Sequence, residues 1–400
     1  MRYSIHCLAC GTRQADAAAI ACHRCGGSLG FGYDLADAAP DPGFAGMWRY
    51  WRMLPVDAPL GLVTLGEGGT PLLASSLRKD LRLWWKDETR NPTGSHKDRA
   101  LSLALTHARR VGARVSVVVS AGSTGLSNAA YAARAGLASV TLIPAGAPAE
   151  RVFPLSVYGS RLIEVAGGID AIIAAARGLA GRGGIYVAST TRASNPVQAE
   201  AAKTIAHEIV RDMGDAPHWM VVPVGGGGTI AGLWRGFLEM RSLGRATRLP
   251  RLAAVVPGRY DALRAAFQAG VKSEAALLAL DYRDDVPTLL TKLSHAHPPD
   301  GMEALAAVRA SEGTVVAIDD DAAVAGSGRI AAADGLYLEP SSGVVAPGLD
   351  TLLAQGVIEP AATVVGLACG SGFRETFALM RGGAAPIEHV SLGDLAAALS

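Results

Sequence analysis

The sequence predicts an α/β protein of two lobes, and three observations carry that expectation. Short apolar runs alternate with amphipathic stretches along most of the chain, the runs end in turns rich in Gly, Ser and Asn, and 400 residues exceed what one small core organises. With 50% hydrophobic and 18% charged residues, the composition is globular.

Apolar runs at 115–119, 140–143, 162–165 and 185–188 alternate with helical patterns at 127–135, 149–158 and 169–179, the first closed by Gly136. Continuous apolar strands with helices between them describe a parallel sheet covered on both faces. After Asn195-Pro196 a second series runs through a helix at 198–213, strand 220–224, helix 230–243 and strand 252–256. It continues with helix 302–310, strand 314–318, helices 321–333 and 345–353, and strand 363–367; residues 271–300 read as irregular. The stretch 31–63, with Pro40, Pro42, Pro55 and Pro59 among Phe44, Trp48, Tyr50 and Trp51, reads as a connecting arm packed on the main body. The expected organisation is a ribbon at 1–30, the arm and first part of the large lobe at 31–95, a small α/β lobe at 96–190 and the large α/β lobe at 191–400.

A net charge of +1 gives no electrostatic footprint for nucleic acid or an anionic membrane. The N-terminus lacks an apolar signal core, and no window reaches about 18 uninterrupted apolar residues. The expected protein is cytoplasmic, with neither nucleic acid nor membrane as partner. Four of the five cysteines occur early, as Cys7-x2-Cys10 and Cys22-x2-Cys25. Two such knuckles, each followed by glycine (Gly11; Gly26 and Gly27), let four thiolates meet at one tetrahedral centre. The pattern predicts a structural zinc ribbon, because four Cys ligands leave no open position for a reactive water.

The most informative stretch is Asn91-Pro92-Thr93-Gly94-Ser95-His96-Lys97-Asp98-Arg99, between a strand-like run at 81–85 and a helix-like run at 100–111. Pro92 and Gly94 force a turn, and Ser95 offers a hydroxyl and N–H groups where unpaired donors and the helix dipole favour an anion. Lys97 is expected about one turn into the helix. A lone lysine there is ordinarily a solvated surface residue. The sharper reading is a Schiff-base lysine for pyridoxal phosphate, which requires a phosphate loop elsewhere. Gly225, Gly226, Gly227, Gly228 and Thr229, between a strand and a helix, can supply one through backbone N–H groups. That loop matches neither a nucleoside-triphosphate P-loop nor, with Val255-Val256-Pro257 ending the next strand, a dinucleotide fingerprint. Ser120-Ala121-Gly122-Ser123-Thr124-Gly125 also joins a strand to a helix and either holds a carboxylate or is a plain Ser/Thr turn. Cys369, in Cys369-Gly370-Ser371-Gly372, reads on its own as a buried core thiol.

Taken in order, residues 66–72, 91–99, 120–125 with the helix after them, 225–229 and Glu339-Pro340-Ser341-Ser342-Gly343 resemble the fold-type II pyridoxal-phosphate enzymes of the tryptophan-synthase-β superfamily. Within it the chain is most similar to the threonine synthases, some of which carry a cysteine-rich ribbon. The resemblance implies parallel sheets in two lobes with the cofactor in the cleft between them. Lys97 would be the Schiff-base lysine and then the base that moves protons at Cα and Cβ. The 225–229 loop would hold the cofactor phosphate, with Ser95 and His96 also at the cofactor and Cys369 facing the pyridine nitrogen. Ser120, Gly122, Ser123 and Thr124 would meet the substrate carboxylate and the ring oxygen, and Arg192, Asn195 and Gln198 would contact substrate. A neutral partner at the ring nitrogen makes a weaker electron sink than an Asp, which favours elimination and replacement over transamination.

Departures from the family pattern bear on the substrate. Ser123 stands where Asn is usual and is shorter. Gln198 stands where threonine synthases commonly carry an Arg for the phosphate of O-phosphohomoserine, a lost charge-assisted contact of roughly 1.5–3 kcal/mol. Arg192 is close enough in sequence to compensate. The last motif ends Phe373-Arg374-Glu375 in place of Leu-Lys-Asp. The expected activity is a threonine synthase-like elimination or replacement on an amino acid, in a homodimer. The alternatives are a serine/threonine ammonia-lyase, a cysteate synthase-like β-replacement enzyme acting on O-phosphoserine, or a non-catalytic cofactor-binding protein.

Overall fold

The computed structural model describes residues 2–167, 169–280, 286–380 and 389, and within them three sheets. β1 (Tyr3–Cys7), β2 (Arg13–Gln14) and β3 (Leu29–Tyr33) form an antiparallel sheet in the order β2-β1-β3. Tyr3, Ile5 and Cys7 alternate inward along β1, the period of a strand with one buried face. β3 crosses the expected boundary at residue 30 because Phe31 and Tyr33 pack on this small core. The arm is less irregular than expected: Gly46–Met53 forms 3-10 turns that place Met47, Trp48 and Trp51 against Leu103, Val197 and Ala201.

The chain then contributes β4 (Leu72–Ala74) and β5 (Arg82–Asp87) before α1 (Lys97–Arg110). A four-stranded unit follows: β6 (Val115–Val119), α2 (Ser123–Ala135), β7 (Ala138–Pro144), α3 (Ala149–Val157), β8 (Arg161–Val165), α4 (Ile169–Arg177) and β9 (Ile185–Val187). Its strands are parallel, in the order β8-β7-β6-β9. Leu101, Ala104 and Leu105 of α1 join Ala130 and Tyr131 of α2 in its core.

The remaining elements are α5 (Lys203–Met213), β10 (Trp219–Pro223), α6 (Gly228–Ser242), β11 (Arg251–Pro257), α7 (Ala262–Gln268), α8 (Glu274–Leu278) and α9 (Gly301–Ala310). They continue with β12 (Thr314–Ile318), α10 (Asp320–Asp334), α11 (Pro340–Gly343), α12 (Val345–Ala354), β13 (Thr363–Ala368) and α13 (Thr376–Met380). The large sheet runs β12-β11-β10-β13-β5-β4, parallel except for the β4–β5 pair. β10 shows why its sequence is apolar throughout. Met220 and Val222 pack with Ile205 and Leu233 on one face, while Trp219 and Val221 pack with Val345 and Leu349 on the other. No helix among the described residues is long and apolar enough to cross a membrane.

Several elements differ from expectation. Lys97 is the first residue of α1, not one turn inside it, because the chain turns at Gly94 (φ +80°) and His96 occupies the cap. α2 begins at Ser123, so Ser123 and Thr124 belong to a helix rather than a loop. The helix expected at 198–213 is a 3-10 turn, Gln198–Glu200, followed by α5. α7 and α8 were not anticipated.

One buried charge cluster ties these parts together. Arg99 donates from Nε and Nη2 to Glu88 (both 2.7 Å) and from Nη1 and Nη2 to Glu208 (2.7 and 2.8 Å). Lys86 adds a 2.7 Å bond to Glu208, and all four side chains are at most 1% exposed. Burial alone would push the Glu88 and Glu208 carboxyls up, but Arg99 and Lys86 hold both below the ordinary range. Replacing Arg99 by Met leaves two buried carboxylates without the cation they share, and the expected loss is about 3–5 kcal/mol of unfolding free energy. In the wild type, their stabilisation is present above the ordinary carboxyl value of 4.5 and is lost as pH falls below it. Urea denaturation across pH should therefore show a lower, flatter acid limb for Arg99→Met; a variant within about 0.5 kcal/mol of wild type contradicts this.

Candidate active site

Loops at the C-terminal ends of β5, β6, β9, β10 and β13 surround a cavity of about 430 Å³. That is where open parallel sheets place ligands, and the volume suits a cofactor-sized molecule. Lys97 lies on its wall, and its amine makes no hydrogen bond or ion pair among the described residues. Burial pushes the Lys97 ammonium down in pKa, against the opposing pull of Cys369, Asp300 and Glu339. The side chain is a half-buried nucleophilic amine.

The wall also includes the loop Gly225, Gly226, Gly227, Gly228 and Thr229, whose backbone N–H groups have no partner among the described residues. Gly227 has φ +97°, and a Cβ on it would stand 2.7 Å from the Asp300 carbonyl oxygen. The segment 293–300 is thus pressed against the back of the loop, and Asp300 N donates to Gly226 O at 2.8 Å. Free N–H groups at the start of α6, held rigid from behind, form an anion cradle.

His96 braces this cradle instead of presenting an N–H to it. Its Nδ1 lies 3.2 Å from Cys369 O and its Nε2 3.3 Å from Thr229 Oγ1. Burial, then the neighbouring Lys97, push its pKa down to about 3, so the ring is neutral. With Nδ1–H donating to the carbonyl, Nε2 accepts from the Thr229 hydroxyl. Cys369 lines the cavity, and burial reinforced by Glu339 pushes its thiol far up, which keeps it as S–H. Free donors for a phosphate, an unpartnered amine for an aldehyde and a neutral thiol together fit pyridoxal phosphate.

Comparison with known proteins agrees. Residues 63–370 match the family model described as pyridoxal-phosphate dependent enzyme. The chain belongs to that family. It is 32% identical to the threonine synthase of Methanocaldococcus jannaschii over 96% of this chain and 95% of the relative. It is 34% identical to the threonine synthase of Mycobacterium tuberculosis over 84% and 89%. Among solved structures, a fungal L-serine ammonia-lyase from Rhizomucor miehei superposes with a TM-score of 0.64 at 22% identity, covering 76% of this chain and 93% of that one. O-ureido-L-serine synthase does so with 0.62 at 22%, covering 82% and 96%. These structural likenesses establish the fold.

In this pyridoxal-phosphate-dependent enzyme the expected substrate residues separate into two groups. Ser120, Gly122, Ser123, Thr124 and Gln198 lie on the cavity wall. Ser123 Oγ, however, accepts a bond from Arg374 Nη1 at 3.2 Å. Arg192 and Asn195 are not on the wall. Arg192 is spent on Glu303 (2.7 Å), Glu200 (3.2 Å) and Leu29 O (3.0 Å), which corrects the expectation that it replaces the missing arginine. Asn195 donates to Val187 O and accepts from Gln198 N, so it caps the 3-10 turn. Ser95 pairs with Gly370 through the backbone, and its buried hydroxyl, off the cavity wall, has no partner among the described residues.

Arg151, Lys292, His295, Asp300 and Glu339 also line the cavity, and the sequence reading assigned none of them a role. Lys292, His295 and Asp300 fall in the stretch read as irregular. A cluster of Pro298, Pro299, His295 and His297 directly before a helix was the available signal.

The four ribbon sulfurs lie within 4.8 Å of one another, with Sγ–Sγ distances of 3.5 Å (Cys7–Cys25), 3.8 Å (Cys10–Cys22) and 3.4 Å (Cys10–Cys25). Four thiolates around a tetrahedral zinc at about 2.3 Å sit roughly 3.8 Å apart, so the cluster fits a metal ion. It is joined to the body by Tyr33 OH on Glu200 (3.1 Å) and by Arg192 on Leu29 O.

Proposed function

We propose that this enzyme is a threonine synthase, releasing phosphate from O-phosphohomoserine and adding water at Cβ. The observation that carries the reading is one cavity combining a half-buried lysine amine and the N–H groups of a glycine loop, both without a partner among the described residues, in a chain whose near-full-length relatives are threonine synthases.

Pyridoxal phosphate bound here supplies an electron sink conjugated with the substrate's Cα. Lys97 is the amine that would hold its aldehyde carbon. Burial keeps that amine's pKa down, which suits it to take and return protons at Cα and Cβ. The loop from Gly225 to Thr229 binds the cofactor phosphate, with neutral His96 orienting the Thr229 hydroxyl. The Cys369 thiol on the cavity wall, which keeps its proton, would give the bound cofactor a neutral neighbour and no anion. Ser120, Gly122 and Thr124 receive the substrate carboxylate at the start of α2. The ribbon cysteines Cys7, Cys10, Cys22 and Cys25 hold a structural zinc.

Gln198 on the wall and Arg192 turned away favour one second reading. A cavity without an arginine at that point suits deamination of serine or threonine, whose side chains carry no phosphate.

The deciding experiment gives the holoenzyme O-phosphohomoserine, O-phosphoserine, threonine and serine in turn and follows phosphate, ammonia and threonine. Phosphate and threonine from O-phosphohomoserine alone are expected. Phosphate from O-phosphoserine, or ammonia from an unphosphorylated amino acid, without threonine synthesis overturns the assignment. Elemental analysis of the same preparation should find one zinc per chain; metal-free protein with intact ribbon sulfurs would remove the zinc assignment.

A further inference from the structure

Gln198 leaves the substrate side of the cavity without the guanidinium that a phosphate normally finds, and the fold supplies two other cations. Arg151, on α3, and Lys292, in the segment before α9, come from opposite sides of the cleft and both line the cavity. They converge on a single carboxylate: Arg151 Nη2 on Glu375 Oε2, and Lys292 Nζ on Glu375 Oε1 at 3.1 Å. Arg151 has no other side-chain partner among the described residues. Lys292 also pairs with Glu339. The Lys292 chain runs beside the substrate turn, its Cε 3.9 Å from where a Cβ on Gly122 would stand. Glu375 itself is not among the wall residues, and its two carboxylate oxygens lie one on each cation.

A guanidinium and an ammonium sharing the two oxygens of one carboxylate form a seat for a small oxyanion. A phosphate dianion carries twice the charge of the Glu375 carboxylate and attracts the same two cations more strongly. We propose that Arg151 and Lys292 bind the terminal phosphate of the substrate, and that Glu375 occupies their seat until the phosphate displaces it. This rests on the reading that the substrate is a phosphorylated amino acid. It explains how a chain with glutamine at position 198 still recognises one. After elimination the same pair holds the departing inorganic phosphate.

The test measures inorganic phosphate binding to the holoenzyme by calorimetry, beside threonine as a ligand without phosphate. Arg151→Met and Lys292→Met should each weaken phosphate binding by about tenfold or more, the worth of one charge-assisted contact. Glu375→Gln, which removes the competing carboxylate, should tighten it by about the same factor, and threonine binding should change little in all three. Phosphate affinity equal in wild type and all three variants overturns the proposal. So does a Glu375→Gln enzyme that binds phosphate more weakly, because Glu375 would then be building the seat and not blocking it. Variant-dependent phosphate binding without turnover of O-phosphohomoserine would uphold the seat and defeat the threonine synthase reading. Turnover with variant-independent phosphate binding would do the reverse.

Discussion

Arg99 lies between two buried carboxylates, and the placement of Lys97 on the cavity wall depends on that arrangement. Glu88 follows β5 of the large sheet, Glu208 belongs to α5, and Arg99 sits in the first turn of α1. The three elements are therefore joined through one guanidinium. Lys97 opens the same helical turn, so it cannot swing away without breaking bonds that burial strengthens. Buried ion pairs add little net stability compared with apolar packing. What this one supplies is direction: it fixes which way the start of α1 faces. Thr70, Thr204 and the backbone N–H of Gly69 complete the cluster, so a single polar site also anchors the glycine turn at 66–69.

The cavity divides its ionisable groups by charge. Burial works against charge on the groups assigned to the cofactor: it pushes the Lys97 ammonium down in pKa, keeps the His96 ring neutral and holds the proton on Cys369. The charged groups, Lys292, Glu339, Arg151 and Glu375, gather in one ion-paired cluster. A weakly polar setting lowers the cost of deprotonating an amine, and a protonated thiol presents no anion to a ligand beside it. The paired cluster offers charge that an incoming anion can take over. The segment 286–300 serves both parts, because it braces the glycine loop through Asp300 and carries Lys292.

Much of the fold was legible because parallel strands buried on both faces are apolar throughout, as in β6, β10 and β13, and the helices between them keep their own period. Lys97, the 225–229 loop and Cys369 were legible for a related reason: each sits in a short contiguous motif at the end of a strand. The Lys292 cluster was not. Its members come from four separate stretches, and each looks alone like an ordinary surface charge. Arg192 shows the opposite error. Proximity in sequence to Gln198 suggested a shared role, but Glu200 and Glu303 draw its guanidinium into the support that carries the ribbon. α7 and α8 have seven and five residues, at most about two turns, too short for a helical period to show in the sequence.

The cavity contains two lysines, and the assignment of chemistry depends on which one carries the cofactor. Lys97 has an amine without a partner among the described residues, in a turn fixed by Arg99, whereas Lys292 is held by Glu339 and Glu375. The most direct measurement is borohydride reduction of the holoenzyme, followed by proteolysis and mass spectrometry of the labelled peptide. The pyridoxyl group is expected on Lys97. Its appearance on Lys292 would contradict the arrangement described here.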